Sequence, residues 1–280
     1  MKRRKFYITY FCVISIIIIF VSCTKNDDSF TYQDNSDSVR ANSDDSFTED
    51  LKIANETIVK LVVANLDEKI NVINNIGLSM MANPELVKFV TKSNKEDNDK
   101  DREESIKEKI FMNIFSCKYI TDIAFIKDQT YDVLGATKYK EAELDDFLKS
   151  ELYNEVVQGK GLPVFTVGLF NDEQLYYLRL VSNFMESESN EFAVMIIEID
   201  KDKLFEDIPF LDEQNSMKSA LIDNNGQRLF DTGINYNVDD ASIDIGTKII
   251  DEEKRKIIIA NAQCNNDWIY ILEQEIKYTR

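Results

Sequence analysis

The sequence predicts an α+β fold: a long N-terminal helix followed by two antiparallel-sheet lobes, the second reduced relative to the first. Three observations carry this. An apolar stripe of helical period runs from Leu51 to beyond Met80. Strand-length, β-rich runs separated by short polar turns come after it. The strand–turn–strand pattern then restarts after residue 210.

In the stripe, Leu51, Ile58, Val62, Leu66, Ile70, Ile73, Gly77 and Met80 recur at helical steps. Such a helix is long for a globular protein and is expected to serve as a spine beside more than one packed unit. Asn83-Pro84 ends it, with Pro84 at the first position of a short second helix, where its missing N–H is harmless. Residues 92–103 read as a solvated loop. A helix is expected at 104–115, with Ile106, Ile110, Phe111, Ile114 and Phe115 as its apolar residues. Strands follow at 120–127 and 131–137, and then one helix over 141–158. Three further strands are expected at 162–170, 174–184 and 191–200, with turns at 171–173 and 186–190, and a short helix at 201–208. The restart comprises strands 217–223 and 227–231 around Asn224-Asn225-Gly226, a turn whose residues accept positive φ. A variable stretch precedes a final hairpin, 256–265 and 268–276, around Asn266-Asp267.

The N-terminus has a different chemistry. Lys2, Arg3, Arg4 and Lys5 precede an apolar run from Phe6 to Val21, and Phe20-Val21-Ser22-Cys23 closes it. A basic start, a short apolar core and a small residue before the cut make a secretory leader. The stretch Phe20-Val21-Ser22-Cys23 resembles a bacterial lipobox, which implies a diacylglyceryl thioether on Cys23. The alternative is a single uncleaved transmembrane anchor, because the run approaches the length of a span. Both readings place the rest of the chain on the outer face of a bacterial cytoplasmic membrane, since the positive residues stay inside. Residues 23–50 are polar and acidic and lack apolar periodicity, so they are expected to form a disordered tether. The expected organisation is therefore a leader at 1–22, the tether at 23–50, spine plus first lobe at 51–210, and second lobe at 211–280.

Composition narrows the function. The formal net charge of −18, from 33 basic and 51 acidic residues, disfavours nucleic acid as a partner. There is no histidine. Ser–His and Cys–His nucleophile pairs and His-containing zinc sites are thereby excluded, so an enzyme is not expected. No cofactor or metal is expected either. Asp223 with Asn224, Asn225 and Gly226 has the outline of a calcium loop, but its twelfth position is Ile234 and not a bidentate acid, so it reads as a turn. Cys117 and Cys264 would fall in different lobes and are expected to be free, buried thiols.

The order of a long helix at 51–82, the segment 151–168 with Tyr153, Gly161 and Pro163, the strand-into-helix segment 191–206, and the pair 219–233 and 265–274 resembles the double Cache sensor domains of bacterial chemoreceptors and membrane histidine kinases. Each lobe of that family is PAS-like. The resemblance covers nearly all of residues 51–277. It implies a small-molecule ligand in the membrane-distal lobe, a relay through the long helix, and Glu198 near the family's acid position. The chain departs from the family at Leu152, where a tryptophan is expected, and in lacking an arginine just before it. A pocket that grips both ends of an amino acid is therefore not implied. No signalling segment follows Ile276, so a membrane signalling or transport partner is expected.

The candidate ligand-binding residues are Tyr153, Phe165, Tyr176, Arg179 and Glu198. Glu198 shares a strand face with Val194 and Ile196. It is either a buried acceptor for a ligand ammonium or a strand-end residue facing water. Tyr153 offers a ring and a hydroxyl to a pocket wall, or simply fills the core. Tyr176, Tyr177 and Arg179 lie on the strand expected to floor the pocket, where Arg179 would clamp a carboxylate or pair with a neighbouring acid. Trp268 and Tyr270 read as core of the second lobe. The expectation is an extracytoplasmic sensory lipoprotein. The alternative is a structural or adhesive surface lipoprotein that keeps the fold without a ligand.

Overall fold

The computed structural model describes residues 36–91, 99–127, 133–135, 139–182, 192–208, 217–235, 245–252 and 255–277. Cys23, the leader and the first part of the expected tether lie outside them. Residues 51–280 form one compact unit. No described helix is long and apolar enough to cross a membrane.

The spine, α1, is Ser36–Met81. Val59, Val62, Leu66, Ile70, Ile73 and Met80 are buried along one face, and each such side chain contributes roughly 1.5–3 kcal/mol by leaving water. The helix also takes in residues 36–50, correcting the expectation of a disordered tether there. That segment carries no proline or glycine, and extending an existing helix needs no new nucleus. Asn83 ends the spine region and caps α2, Pro84–Thr91, by accepting from the N–H groups of Glu85 (3.1 Å) and Leu86 (3.3 Å). Helix α3, Asp99–Ser116, starts inside the segment read as loop.

The first lobe is a five-stranded sheet in the order β2-β1-β5-β4-β3. Its strands are β1 (Ile120–Lys127), β2 (Val133–Leu134), β3 (Val164–Val167), β4 (Gln174–Ser182) and β5 (Phe192–Asp200), and every pairing is antiparallel. Side chains alternate between the faces. Leu175, Tyr177, Met195, Ile197 and Ile199 join the spine's core, while Tyr176, Leu178, Val194 and Ile196 join a separate core on the far face.

That far face is covered by α4 (Glu141–Leu148) and α5 (Glu151–Gln158), where the sequence predicted one helix. Ser150 makes the break. Its Oγ donates to the Phe147 carbonyl (2.7 Å) and accepts from the Tyr153 N–H (3.1 Å), closing one helix and capping the next. The turn lets Leu144 and Phe147 of one helix and Tyr153 and Val156 of the other reach the same core.

After α6 (Lys201–Phe205) comes the second lobe. Its strands are β6 (Met217–Ile222), β7 (Arg228–Asp231), β8 (Gly246–Glu252), β9 (Arg255–Gln263) and β10 (Ile269–Lys277). They form a sheet in the order β7-β6-β10-β9-β8. This repeats the first sheet's order in a smaller number of residues. Strand β8 was not legible in the sequence, for reasons its burial pattern explains: it is an edge strand with every residue exposed or half-exposed. The Asp223 carboxylate closes its own turn by accepting from the N–H groups of Asn225 (2.9 Å) and Gln227 (2.7 Å).

The spine touches both lobes in sequence order. Asn55 donates to Gln274 on β10 (2.9 Å). Asp67 accepts from the N–H of Asn265 in the last turn (2.8 Å). Lys69 donates to the Leu204 carbonyl (2.5 Å) and pairs with Asp207 (3.3 Å) at the end of the first lobe. Cys117 and Cys264 are free and buried, as expected from their separate lobes.

Candidate functional site

The far face of the first sheet gathers a buried carboxylate and five aromatic rings. A register shift on β1 between Ile120 and Asp122 creates the arrangement. The extra residue of this bulge, Thr121, is turned toward the neighbouring strand. Its Oγ1 lies 3.1 Å from Glu198 Oε1 and 3.3 Å from the Glu198 carbonyl. The same register sets Asp122 opposite Glu198, and Glu198 opposite Tyr176 on β4. One row across three strands thus reads Asp122, Glu198, Tyr176.

Tyr139 covers this row from the start of α4. Its hydroxyl donates to Glu198 Oε2 at 3.4 Å. Its ring stacks on Phe170 with centroids 4.1 Å apart. Phe170 meets Tyr176 edge-on at 5.8 Å and Phe147 at 5.9 Å, and Phe147 meets Tyr153 at 5.5 Å. Gly168, at φ 72°, makes the left-handed turn that brings Phe170 back over the sheet from β3.

Glu198 is 5% exposed, so it does not face water as a strand-end residue would. A carboxylate at that depth needs donors, and Thr121 and Tyr139 supply two. Tyr176 is fully buried; the backbone N–H groups of Phe170 and Asn171 face its hydroxyl, which has no side-chain hydrogen-bond partner among the described residues. Burial pushes the Tyr139 phenol well above its ordinary value, and the charges of Glu198 and Asp122 push it further. Burial also raises Tyr176, with Glu198 the next cause. Both phenols therefore stay protonated at neutral pH and remain hydrogen-bond donors. A carboxylate edged by neutral hydroxyls under aromatic rings can accept an N–H or ammonium group and stack against an organic body.

The structure divides the residues singled out from sequence. Tyr153, Tyr176 and Glu198 belong to this face. Arg179 and Phe165 do not, because period-two alternation turns them to the spine side. Arg179 Nη1 donates to Asn74 Oδ1 and to Tyr177 Oη, both at 2.9 Å, so it is tied to the spine on the face opposite Tyr176. Phe165 packs edge-on between Tyr177 (5.3 Å) and Trp268 of the second lobe (5.2 Å). Trp268 and Tyr270 are buried core, as read from the sequence.

Thr121, Asp122, Tyr139, Phe147 and Phe170 were missed. Asp122 and Thr121 sat in an alternating strand pattern with nothing to mark a bulge. Tyr139 and Phe170 lie in connecting segments whose path over the sheet has no local signal.

No protein family is matched by this sequence, and no curated protein matches it. Solved structures do match the fold. One is the ligand-binding domain of the Pseudomonas aeruginosa PAO1 amino acid chemoreceptor PctC in complex with GABA: TM-score 0.55, 10% identity, 78% of this chain and 96% of that one. Another is the ligand-binding domain of Mlp24 with asparagine: TM-score 0.51, 12% identity, 80% of this chain and 95% of that one. A third is methyl-accepting chemotaxis protein X: TM-score 0.51, 11% identity, 82% of this chain and 100% of that one. Identities this low speak for the fold alone. With its long helix and two sheets of matching strand order, the chain has the fold of these ligand-binding domains.

Proposed function

We propose that this protein is a non-catalytic sensory module that binds a small molecule on the far face of its first sheet, between the sheet and helices α4 and α5. The observation that carries the reading is the buried Glu198 carboxylate, edged by the Thr121 and Tyr139 hydroxyls and set opposite the fully buried Tyr176 under the Tyr139–Phe170 ring stack. A carboxylate at that depth is costly unless donors meet it, and a few convergent polar groups under apolar cover are the usual make-up of a ligand site. The fold shared with chemoreceptor ligand-binding domains supports the same reading.

In this reading the leader exports the chain, and a lipid on Cys23 holds it at the outer face of the membrane. A membrane signalling or transport partner receives the ligand state. Ligand binding changes what the partner meets only through different affinity for two conformations of the module.

A thermal-shift screen of the purified protein against amino acids, including GABA and asparagine, organic acids and amines tests the proposal. A ligand at 100 times its Kd adds about 2.7 kcal/mol of stability. Stabilisation by a compound, lost in Glu198→Gln with the fold intact, supports the reading. Cooperative unfolding that no compound shifts, across the whole library, overturns it in favour of a structural surface protein.

A further inference from the structure

Tyr176 and Tyr177 are neighbours in sequence and point to opposite faces of β4. Tyr176 belongs to the ring cluster over Glu198. Tyr177 is fully buried on the other side, where three structures meet. Its hydroxyl donates to Asn74 Oδ1 on the spine (3.1 Å) and accepts from Arg179 Nη1 (2.9 Å). Its ring meets the edge of Phe165 on β3 (5.3 Å), and Phe165 in turn meets Trp268 of the second lobe (5.2 Å). At Gly77 the spine approaches so closely that a Cβ there would lie 2.9 Å from Tyr177 Oη.

Strand β3 suits a moving part. It pairs only with β4, and all four of its residues are half-exposed. Val164 packs against the far-face core while Phe165 and Val167 pack against the spine-side core. Displacing it therefore disturbs both cores at once, and a packed contact chain passes such a displacement on because interiors are close-packed.

We propose that Tyr177 is the relay of this module. Movement of β3 and β4 at the far face reaches the spine through Tyr177–Asn74 and the second lobe through Tyr177–Phe165–Trp268. The role assigned to the far face rests on the ligand-binding reading above. The contact chain itself can be tested without any ligand.

Trp268 is the only tryptophan, so fluorescence excited at the red edge of the absorption band, where the 12 tyrosines contribute little, reports on the surroundings of Trp268. Asn74 is separated from Trp268 by two intervening side chains. The expected result is that Asn74→Ala shifts the Trp268 emission to the red and raises its quenching by acrylamide. In a Phe165→Leu background the same substitution is expected to have no further effect. An unchanged spectrum in Asn74→Ala, with native circular dichroism, overturns the relay. So does an equal shift in both backgrounds, which would mean general loosening. If Asn74→Ala does not fold, Tyr177→Phe removes the same hydrogen bond with the ring retained and is read in the same way. Because no ligand is present, this outcome is independent of whether the screen finds one.

Discussion

Tyr176 on β4 stands directly opposite Glu198 on β5, both buried, and the Tyr176 hydroxyl has no side-chain hydrogen-bond partner among the described residues. With only the backbone N–H groups of Phe170 and Asn171 near it, this hydroxyl is expected to matter little to stability. Tyr176→Phe should change the unfolding free energy by no more than about 1 kcal/mol. It should weaken a ligand that uses this hydroxyl by roughly 10- to 100-fold, the worth of one hydrogen bond to a charged group. Urea denaturation and isothermal titration with any compound found by thermal shift separate the two effects. Equal affinity in the variant would move the ligand elsewhere.

Gly77 gives a prediction whose sign is diagnostic. In an exposed helix interior, Gly→Ala stabilises by about 1 kcal/mol. Here the added Cβ would meet Tyr177 Oη at 2.9 Å and Met195 Cε at 3.1 Å. The tyrosine cannot swing aside without giving up Asn74 and Arg179. Gly77→Ala is therefore expected to destabilise by about 1–3 kcal/mol, the usual range for overpacking. Its urea midpoint should fall, and a rise would show that the spine is looser at this point than described.

Lys69 is 4% exposed, held by the Leu204 carbonyl and by Asp207, whose own side chain is 44% exposed. Because Asp207 keeps its water, Lys69→Met should cost only about 1–2 kcal/mol, chiefly the lost bond to Leu204. Lys69→Glu buries a carboxylate beside Asp207 and should cost about 3–5 kcal/mol or more. Burial pulls the Lys69 pKa below the 10.5 of a solvated lysine, with Asp207 acting against the shift. The folded state thus holds this proton less firmly than the unfolded chain. Wild type should gain stability relative to Lys69→Met as pH rises through the lowered pKa toward 10.5. Urea titrations of both proteins at neutral and alkaline pH would check the sign.

Cys264 is buried, and burial pushes its thiol from 9.0 up to about 12, with Asp67 adding to the shift. Between pH 8 and pH 10 an ordinary thiol becomes largely thiolate, the reactive form. Cys264 stays protonated across that interval. In the native protein its labelling by a disulfide reagent should remain slow at both values and become fast only in denaturant. Rapid native labelling that climbs over this interval would show that the β9–β10 turn opens.

The helical stripe and the strand runs of both lobes were legible because each element carries its own periodicity. Val62, Leu66, Ile70 and Ile73 mark the spine at helical spacing, and Pro84 marks its successor. What failed lacked such a signal. Strand β8 has no alternation because neither of its faces is buried. The helix expected over 141–158 broke at Ser150, a residue that reads as easily as an exposed helix position as it does as a cap. Alternation along β4 already implied that Tyr176 and Arg179 point to opposite sides. It could not say which side holds the spine and which the aromatic cover.

The sequence by itself therefore determined the order of elements, the two-lobed repeat, the acidity that disfavours nucleic acid and the absence of histidine chemistry, because these depend on local pattern and composition. Only the tertiary structure decided which candidates lie together. A bulge at Thr121 aims one hydroxyl at Glu198, and a chain reversal at Gly168 lays Phe170 over the sheet. The alternation of β4 then divides Tyr176 from Tyr177, because residues far apart in the chain become neighbours only through strand register and the paths of the covering loops.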